Sequence, residues 1–265
     1  MIIEQIINTF YQIRWWFLVT INRIYTHDSN KNFELSKEWD FTDTNFDLLD
    51  KDFRYAPPWG SKVNKRCSFK LNKRGIELNS NGIIFNNIIN PDKDKNETPF
   101  ISGALVSKLN NLLPTFGKVS ARYAIQRTEG NWCAFWTTDF ENTMPESDII
   151  EFFGDKDGRR KLSPNVHYGT SYNSKNYKFH YPKNLYFPEK LNGRMLEWSA
   201  EFYPNKTIYK INGIPVYYTT RSCSTNDKVV WLNGGTKYDA TPDNMGRSSH
   251  VEWLKYYSLI DVSKR

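Results

Sequence analysis

The sequence has few of the residues that build disulfide frameworks and metal sites. Its three cysteines are an odd number at wide spacing, so neither a disulfide framework nor a zinc pattern is visible. The four histidines have no metal-ligand spacing, and no glycine-rich phosphate loop is present. These absences exclude a disulfide-stapled scaffold, a zinc-finger-like domain and a P-loop nucleotide site. Cys133, which lies between two tryptophans, is predicted to be a buried free thiol.

Long apolar runs are also absent from the N-terminal segment 2–25. Its longest uninterrupted run covers residues 15–19, far short of the ~20 residues that a membrane span needs. Apolar side chains recur through the segment at helical spacing. Arg14 breaks the apolar core and no small-residue cleavage site follows, so a standard signal peptide is not visible and the localisation stays open. We favour a helix that packs on the domain or lies in a membrane interface; an atypical export or anchor segment is the alternative.

The chain is basic, but it has no dense basic run. Lys and Arg exceed Asp and Glu by 36 to 29, which gives a formal net charge of +7, and they are scattered among Asn and acidic residues. No nucleic-acid partner is therefore predicted, and an anionic polysaccharide is only weakly indicated. Aromatic residues make up 16% of the chain, with nine Trp and sixteen Tyr. This suits a β-rich core, where most of them are expected, and it also suits a sugar-binding cleft.

Alternation of apolar and polar residues indicates many short strands after residue 36. Val119, Ala121, Tyr123 and Ile125 alternate with polar or small residues, and similar patterns recur towards the C-terminus. Asn212-Gly213 between two apolar runs predicts a type I′ hairpin. We therefore predict an all-β sandwich over residues 36–265, preceded by a helical extension and linker over residues 1–35.

Three carboxylates lie within one strand-like run, Pro145 to Gly154. Glu146 and Asp148 point to the same face of a strand because side chains alternate. A β-bulge at Ile149-Ile150 would bring Glu151 to that face as well. Like charges so close cannot all ionise at neutral pH, so one proton is shared or one pKa is raised. A solvated edge strand with scattered acids is the alternative interpretation.

The spacing Glu-x-Asp-x-x-Glu resembles the active-site motif of glycoside hydrolase family 16, the laminarinase and lichenase group. The segments 117–122 (GKVSAR) and 130–136 (GNWCAFW) resemble the two preceding strands of that family, and 165–169 (NVHYG) resembles the following one. The resemblance covers about residues 36–260. It implies a concanavalin A-like jelly roll of two curved antiparallel sheets with an open cleft, in a family that is usually secreted, periplasmic or at the cell surface.

By this resemblance Glu146 is the nucleophile, Glu151 the acid/base and Asp148 the residue that assists between them. The implied sugar-binding residues are Trp59, Arg122, Trp132, Trp136 and His167. The residues alone are equally consistent with other roles: a surface arginine for Arg122, a structural histidine for His167 and core positions for the tryptophans. Ser147 departs from the usual aliphatic residue of the motif, which would weaken packing behind the acids.

The implied activity is retaining endo-hydrolysis of a β-linked polysaccharide, and a β-1,3- or mixed-linkage glucan is the expected substrate. A carbohydrate-binding module on the same fold, a transglycosylase and a hydrolase of agar, porphyran or carrageenan are the alternatives. No cofactor is required. The family resemblance leaves a structural calcium ion open, but no ligand cluster places one. A monomer that binds no nucleic acid is expected.

Overall fold

Two sheets pack face to face in the computed structural model, which describes residues 32–57, 67–69, 73–92, 98–140, 144–154, 160–162, 164–169, 174–180, 187, 191–220, 225–237 and 240–260. The segment 2–25 and Trp59 lie outside the described residues. Among the residues described, no helix combines the length and the apolar character needed to cross a membrane.

Strands are numbered in chain order across both sheets. The ten-stranded sheet contains β1 Phe33–Asp40, β3 Cys67–Phe69, β4 Ile76–Asn79, β5 Gly82–Ile89, β6 Phe100–Ser102, β8 Gly117–Ile125, β14 Leu196–Tyr203, β15 Lys206–Ile211, β16 Ile214–Thr219 and β18 Gly246–Leu259. The eight-stranded sheet contains β2 Phe53–Arg54, β7 Ala104–Ser107, β9 Trp132–Asp139, β10 Glu146–Gly154, β11 Arg160–Leu162, β12 Asn165–Tyr168, β13 Lys178–His180 and β17 Lys228–Asn233.

Neighbouring strands are antiparallel, except that β3 pairs with β6 in parallel. The larger sheet runs in the order β16-β15-β14-β8-β18-β5-β6-β3, with β1 on β18 and β4 on β5. The smaller sheet runs in the order β13-β12-β10-β9-β17-β7-β2, with β11 on β10. This is the predicted all-β jelly-roll sandwich.

The core fills the space between the sheets because alternate side chains of each strand point inward. From the larger sheet it takes alternate residues of β8, namely Val119, Ala121, Tyr123 and Ile125. From the smaller sheet it takes Cys133, Phe135, Ile149, Ile150 and Phe152. Cys133 is a buried free thiol, as predicted, and burial raises its pKa to about 12. The opposite face of the smaller sheet does not contribute to this core, so polar side chains can project from it.

Local turn chemistry behaves as the sequence predicts. Asn212 and Gly213 have φ of 48° and 80°, the left-handed values that a type I′ hairpin between β15 and β16 requires. One short helix, α1 Phe46–Asp52, was not predicted; Asn45 begins it by accepting a hydrogen bond from the backbone N–H of Leu48 at 2.9 Å.

The start of the described domain corrects the sequence prediction. The linker was predicted to end at residue 35, but β1 begins at Phe33 and pairs with β18 from Phe33↔Leu259 to Asp40↔Trp253. Backbone hydrogen bonds to β18 hold this stretch regardless of its polar side chains. The linker prediction is thus wrong for residues 33–35, and the strand begins before the predicted boundary at residue 36.

Candidate active site

A bulge in β10 sets the direction of the three acids. The pairing with β9 shifts between Asp148 and Ile150, so Ile149 is the extra residue, as predicted. Ile149 and Ile150 are both buried in the core. The bulge therefore returns Glu151 to the face that carries Glu146 and Asp148.

Neighbouring strands surround these acids with polar and aromatic side chains. Glu146 pairs with Thr138 of β9 and His167 of β12. Asp148 pairs with Trp136 of β9 and Asn165 of β12. Directly paired residues project from the same face of a sheet, so these side chains line one surface together with the acids.

Glu151 accepts two hydrogen bonds. Nε1 of Trp132 donates to Oε1 at 3.2 Å, and Nδ2 of Asn165 donates to Oε2 at 3.0 Å. Burial raises the pKa of Glu151, while the nearby His167 and these two donors counteract the shift in part. A raised pKa keeps a proton available on this carboxyl, which is what a general acid needs.

Asp148 is the most deeply buried of the three acids, with 3% of its surface exposed. Burial raises its pKa well above the usual range, the charge of Glu151 raises it further, and hydrogen bonds with Asn165 and Glu146 oppose the shift. This environment favours the protonated form, in which the carboxyl can donate to Glu146. Its Oδ2 lies 3.2 Å from Nε2 of His167 but makes no hydrogen bond with any residue that the structure describes.

His167 connects the acids to an aromatic group. Its Nε2 lies 3.5 Å from Oε1 of Glu146, and its Nδ1 lies 2.5 Å from the hydroxyl of Tyr177. Its ring is stacked on Tyr177 and Phe179, with ring centroids 5.8 Å and 5.9 Å away. Phe179 is 53% exposed, so this stack ends in an accessible aromatic face.

A second aromatic pair lies on the other side of Asp148. Trp136 stacks on Trp231 at 4.4 Å between ring centroids and 14° between ring planes. Its Nε1 donates to Oδ1 of Asn233 at 2.8 Å, which fixes the indole. Trp136 is partly exposed whereas Trp231 is buried, so Trp136 presents the surface.

The structure thus brings Trp132, Trp136 and His167 to the three acids, as expected, but it does not bring Arg122. Arg122 lies on β8 of the other sheet, on the face opposite its core residues, and its Nε donates to Oε2 of Glu252 at 2.5 Å. The whole core separates it from the acids. The prediction that Arg122 binds sugar at this site is wrong.

Two neighbours of the acids were missed by the sequence prediction. Asn165 is two residues before His167 on one strand, so alternation alone could have placed it on the same face. Tyr177 carries no such signal, because its position depends on the stack with His167 and on the pairing of β12 with β13.

The described residues contain one group of three or more His, Cys, Asp or Glu side chains with clustered ligand atoms, namely Glu146, Asp148 and His167. It includes a ring nitrogen and two of the three acids themselves. It therefore does not fit the structural calcium ion that the resemblance left open, since calcium prefers oxygen ligands. That calcium site stays an untested prediction.

Comparison with solved structures shows the same fold in several proteins. The laminarinase catalytic domain from Thermotoga maritima is 13% identical, with 87% of this chain and 100% of that chain covered and a TM-score of 0.69. The endo-β-1,3-glucanase from Pyrococcus furiosus is 18% identical, with 87% and 97% covered and a TM-score of 0.66. The Bacteroides ovatus mixed linkage glucan GH16 protein, in complex with the product G4G4G3G, is 14% identical, with 83% and 98% covered and a TM-score of 0.64.

Two comparisons of the sequence, with curated proteins and with family models, bear on the family. A search of curated proteins gave no match. The family model described as Glycosyl hydrolases family 16 matches residues 67–255, which is well over half of the chain and includes all three acids. The chain belongs to glycosyl hydrolase family 16.

Proposed function

We propose that this enzyme is a retaining endo-glycosidase that cleaves β-1,3- or mixed-linkage β-1,3(4)-glucan through a covalent glycosyl-enzyme. The observation that carries the proposal is that Glu146 and Glu151 share one face of β10 on either side of the buried Asp148. Retaining hydrolysis needs two carboxyl groups with different roles. The three acids are all present in this chain, which favours catalysis over a non-catalytic binding module.

In the first step Glu146 attacks the anomeric carbon while Glu151 protonates the leaving oxygen. Glu151 suits the acid role because burial raises its pKa and Trp132 and Asn165 hold its two oxygens in place. Glu146 suits the nucleophile role because Asp148 hydrogen-bonds to it and orients it. The bond to the leaving sugar breaks as the bond to Glu146 forms.

In the second step Glu151, now a carboxylate, takes a proton from water, which attacks the glycosyl-enzyme and releases Glu146. Asp148 exchanges its proton with Glu146 as the charge on that carboxylate changes. Trp132 and Trp136 provide flat surfaces for apolar sugar faces beside the acids. A sugar acceptor in place of water would give transglycosylation with the same residues.

The choice of glucan rests on the structural neighbours, which include a laminarinase, an endo-β-1,3-glucanase and a mixed linkage glucan protein. A polysaccharide substrate fits the family. We also propose that the enzyme works as a monomer, because one chain supplies every side chain of the site described above.

A reducing-end release assay on a glycan panel tests the substrate. The panel contains laminarin, lichenan, agarose, porphyran, carrageenan and xyloglucan, with Glu146→Gln as the inactive control. Cleavage of laminarin or lichenan that disappears in Glu146→Gln is the expected result. Cleavage confined to a galactan would overturn the glucan assignment, and glycan binding without cleavage would favour the binding-module alternative.

Trp132→Phe is expected to shift the alkaline limb of the pH–activity profile to higher pH. The indole N–H stabilises the charged form of Glu151, so its removal raises the pKa of the acid further, and the acid form survives to higher pH. Because a hydrogen bond to a charged group is worth about 1.5–3 kcal/mol, turnover should also fall by about 10–150-fold. Trp39→Phe is the matched control, since Trp39 donates to Asp52 away from the cleft. An unchanged alkaline limb in Trp132→Phe would contradict the assigned donor.

Arg122→Ala is expected to leave kcat/KM on the glucan unchanged. Arg122 and Glu252 are both partly exposed, with side-chain exposures of 43% and 34%, so their ion pair contributes at most about 1 kcal/mol to the free energy of unfolding. Urea denaturation measures the stability and the reducing-end assay the activity. A loss of kcat/KM of more than a fewfold would show that Arg122 contributes to substrate binding.

A further inference from the structure

The cleft contains a cluster of potential metal ligands that includes two of the carboxyls proposed to act in hydrolysis. One ligand atom from each of Glu146, Asp148 and His167 lies within 4.8 Å of the others. Nε2 of His167 is 3.2 Å from Oδ2 of Asp148 and 3.5 Å from Oε1 of Glu146. Two carboxylate oxygens and an imidazole nitrogen are ligands that zinc accepts.

Two of the three separations match the edges of a tetrahedron around zinc. Zinc binds His nitrogen and carboxylate oxygen at ~2.0–2.2 Å, which places neighbouring tetrahedral ligands ~3.3–3.6 Å apart. The two distances from Nε2 agree with this to within about 0.1 Å. The third pair, the two carboxylates, lies within 4.8 Å, so a carboxylate side chain would move to close the set around an ion.

A separate observation comes from the buried oxygen of Asp148. The residue is only 3% exposed, and its Oδ2 lies 3.2 Å from Nε2 of His167 without a hydrogen bond from the described part of the chain. A buried polar atom without a hydrogen bond is costly. A bound cation would satisfy this oxygen.

His167 also has the outer partner that zinc-binding histidines use. A metal-bound imidazole usually gives its second N–H to an acceptor that fixes the ring. The Tyr177 hydroxyl lies 2.5 Å from Nδ1 and can accept this hydrogen bond. The arrangement would leave the lone pair of Nε2 directed at the two carboxylates.

We infer that Glu146, Asp148 and His167 form a zinc-binding site whose fourth position opens to the cleft, and that zinc reversibly inhibits the enzyme. Three protein ligands with an open fourth position are a common zinc arrangement. Magnesium and calcium prefer oxygen ligands in larger number, so they should bind weakly. Inhibition follows from the proposed function, because zinc occupies the lone pair with which Glu146 would attack.

Isothermal titration with zinc chloride tests the site without any sugar. The intact chain is expected to bind one zinc ion, and His167→Ala is expected to lose this binding. Tyr177→Phe keeps the aromatic stack but removes the acceptor, so it should weaken binding by about 10–100-fold. The Tyr177→Phe variant keeps the test decisive if His167→Ala does not fold.

Two controls distinguish zinc binding by these three ligands from a general attraction of zinc to other charged or histidine side chains. Glu151→Gln removes a neighbouring carboxylate that is not a ligand, and it should retain zinc binding although it loses hydrolysis. His250→Ala removes a histidine on β18 of the ten-stranded sheet, whose Nε2 contacts the carbonyl of Asn81. This variant should bind zinc normally.

The outcomes are distinct from those of the glucan proposal. One-site binding lost in His167→Ala and kept in both controls would establish the site even if the substrate were another glycan. Inhibition by zinc that EDTA reverses would establish its effect on catalysis. Equal binding in all variants, no binding at all, or binding without inhibition would overturn the inference.

Discussion

Glu146→Gln is expected to lower turnover of the glucan by at least about 10³-fold, because an amide cannot form the glycosyl-enzyme. The substitution keeps the size and shape of the side chain and removes one of three crowded acids. The fold should therefore be retained, with an unchanged circular dichroism spectrum. Reducing-end release measures the turnover.

Glu252→Gln is the matched control for this variant. It makes the same chemical change on β18 of the ten-stranded sheet, where Glu252 contacts Arg122. It should keep the activity of the intact enzyme. An aryl glycoside with a good leaving group should not rescue Glu146→Gln, because such a substrate still needs a nucleophile. Activity within tenfold of the intact enzyme would exclude Glu146 from the nucleophile role.

Glu151→Gln is expected to lower turnover of the polysaccharide by about 10²–10⁴-fold, the usual contribution of a general acid. The alkaline limb of the pH–activity profile should also change. In the intact enzyme activity falls as pH rises through the pKa of Glu151, which burial raises. An amide does not titrate there, so this limb should disappear.

An aryl glycoside with a good leaving group separates the roles of the two glutamates. It needs no proton for its departure, so Glu151→Gln should form the glycosyl-enzyme at a near-normal rate and then accumulate it. A burst of released aryl alcohol is the expected signal. If Glu151→Gln shows no burst and Glu146→Gln does, the two roles are reversed.

The features that could be predicted from the sequence are those that depend on neighbours along the chain. The spacing of the acids in β10 required a bulge if all three were to share a face, and Ile149 is that extra residue. Asn212-Gly213 required left-handed backbone, and it forms the predicted hairpin. Alternation of apolar and polar residues along β8 correctly predicted which side of the strand faces the core.

Alternation could not say which sheet a strand joins. Arg122 was correctly placed on the polar face of its strand, but that face belongs to the sheet on the far side of the core from the acids. β1 was missed for a related reason, since its polar sequence is held by backbone pairing with β18, more than 200 positions away along the chain.

By itself, then, the sequence determined the all-β class, the identity of the three acids and their common face, because strand alternation and turn conformation are local. The tertiary structure alone decided the surroundings of those acids. Asn165 reaches Glu151, Tyr177 reaches His167, and Asp148 is buried because β9, β12 and β13 assemble around β10. Burial raises the pKa values of Asp148 and Glu151, and hydrogen bonds from distant side chains counteract part of that rise. Neither effect is encoded in the spacing of residues along one strand.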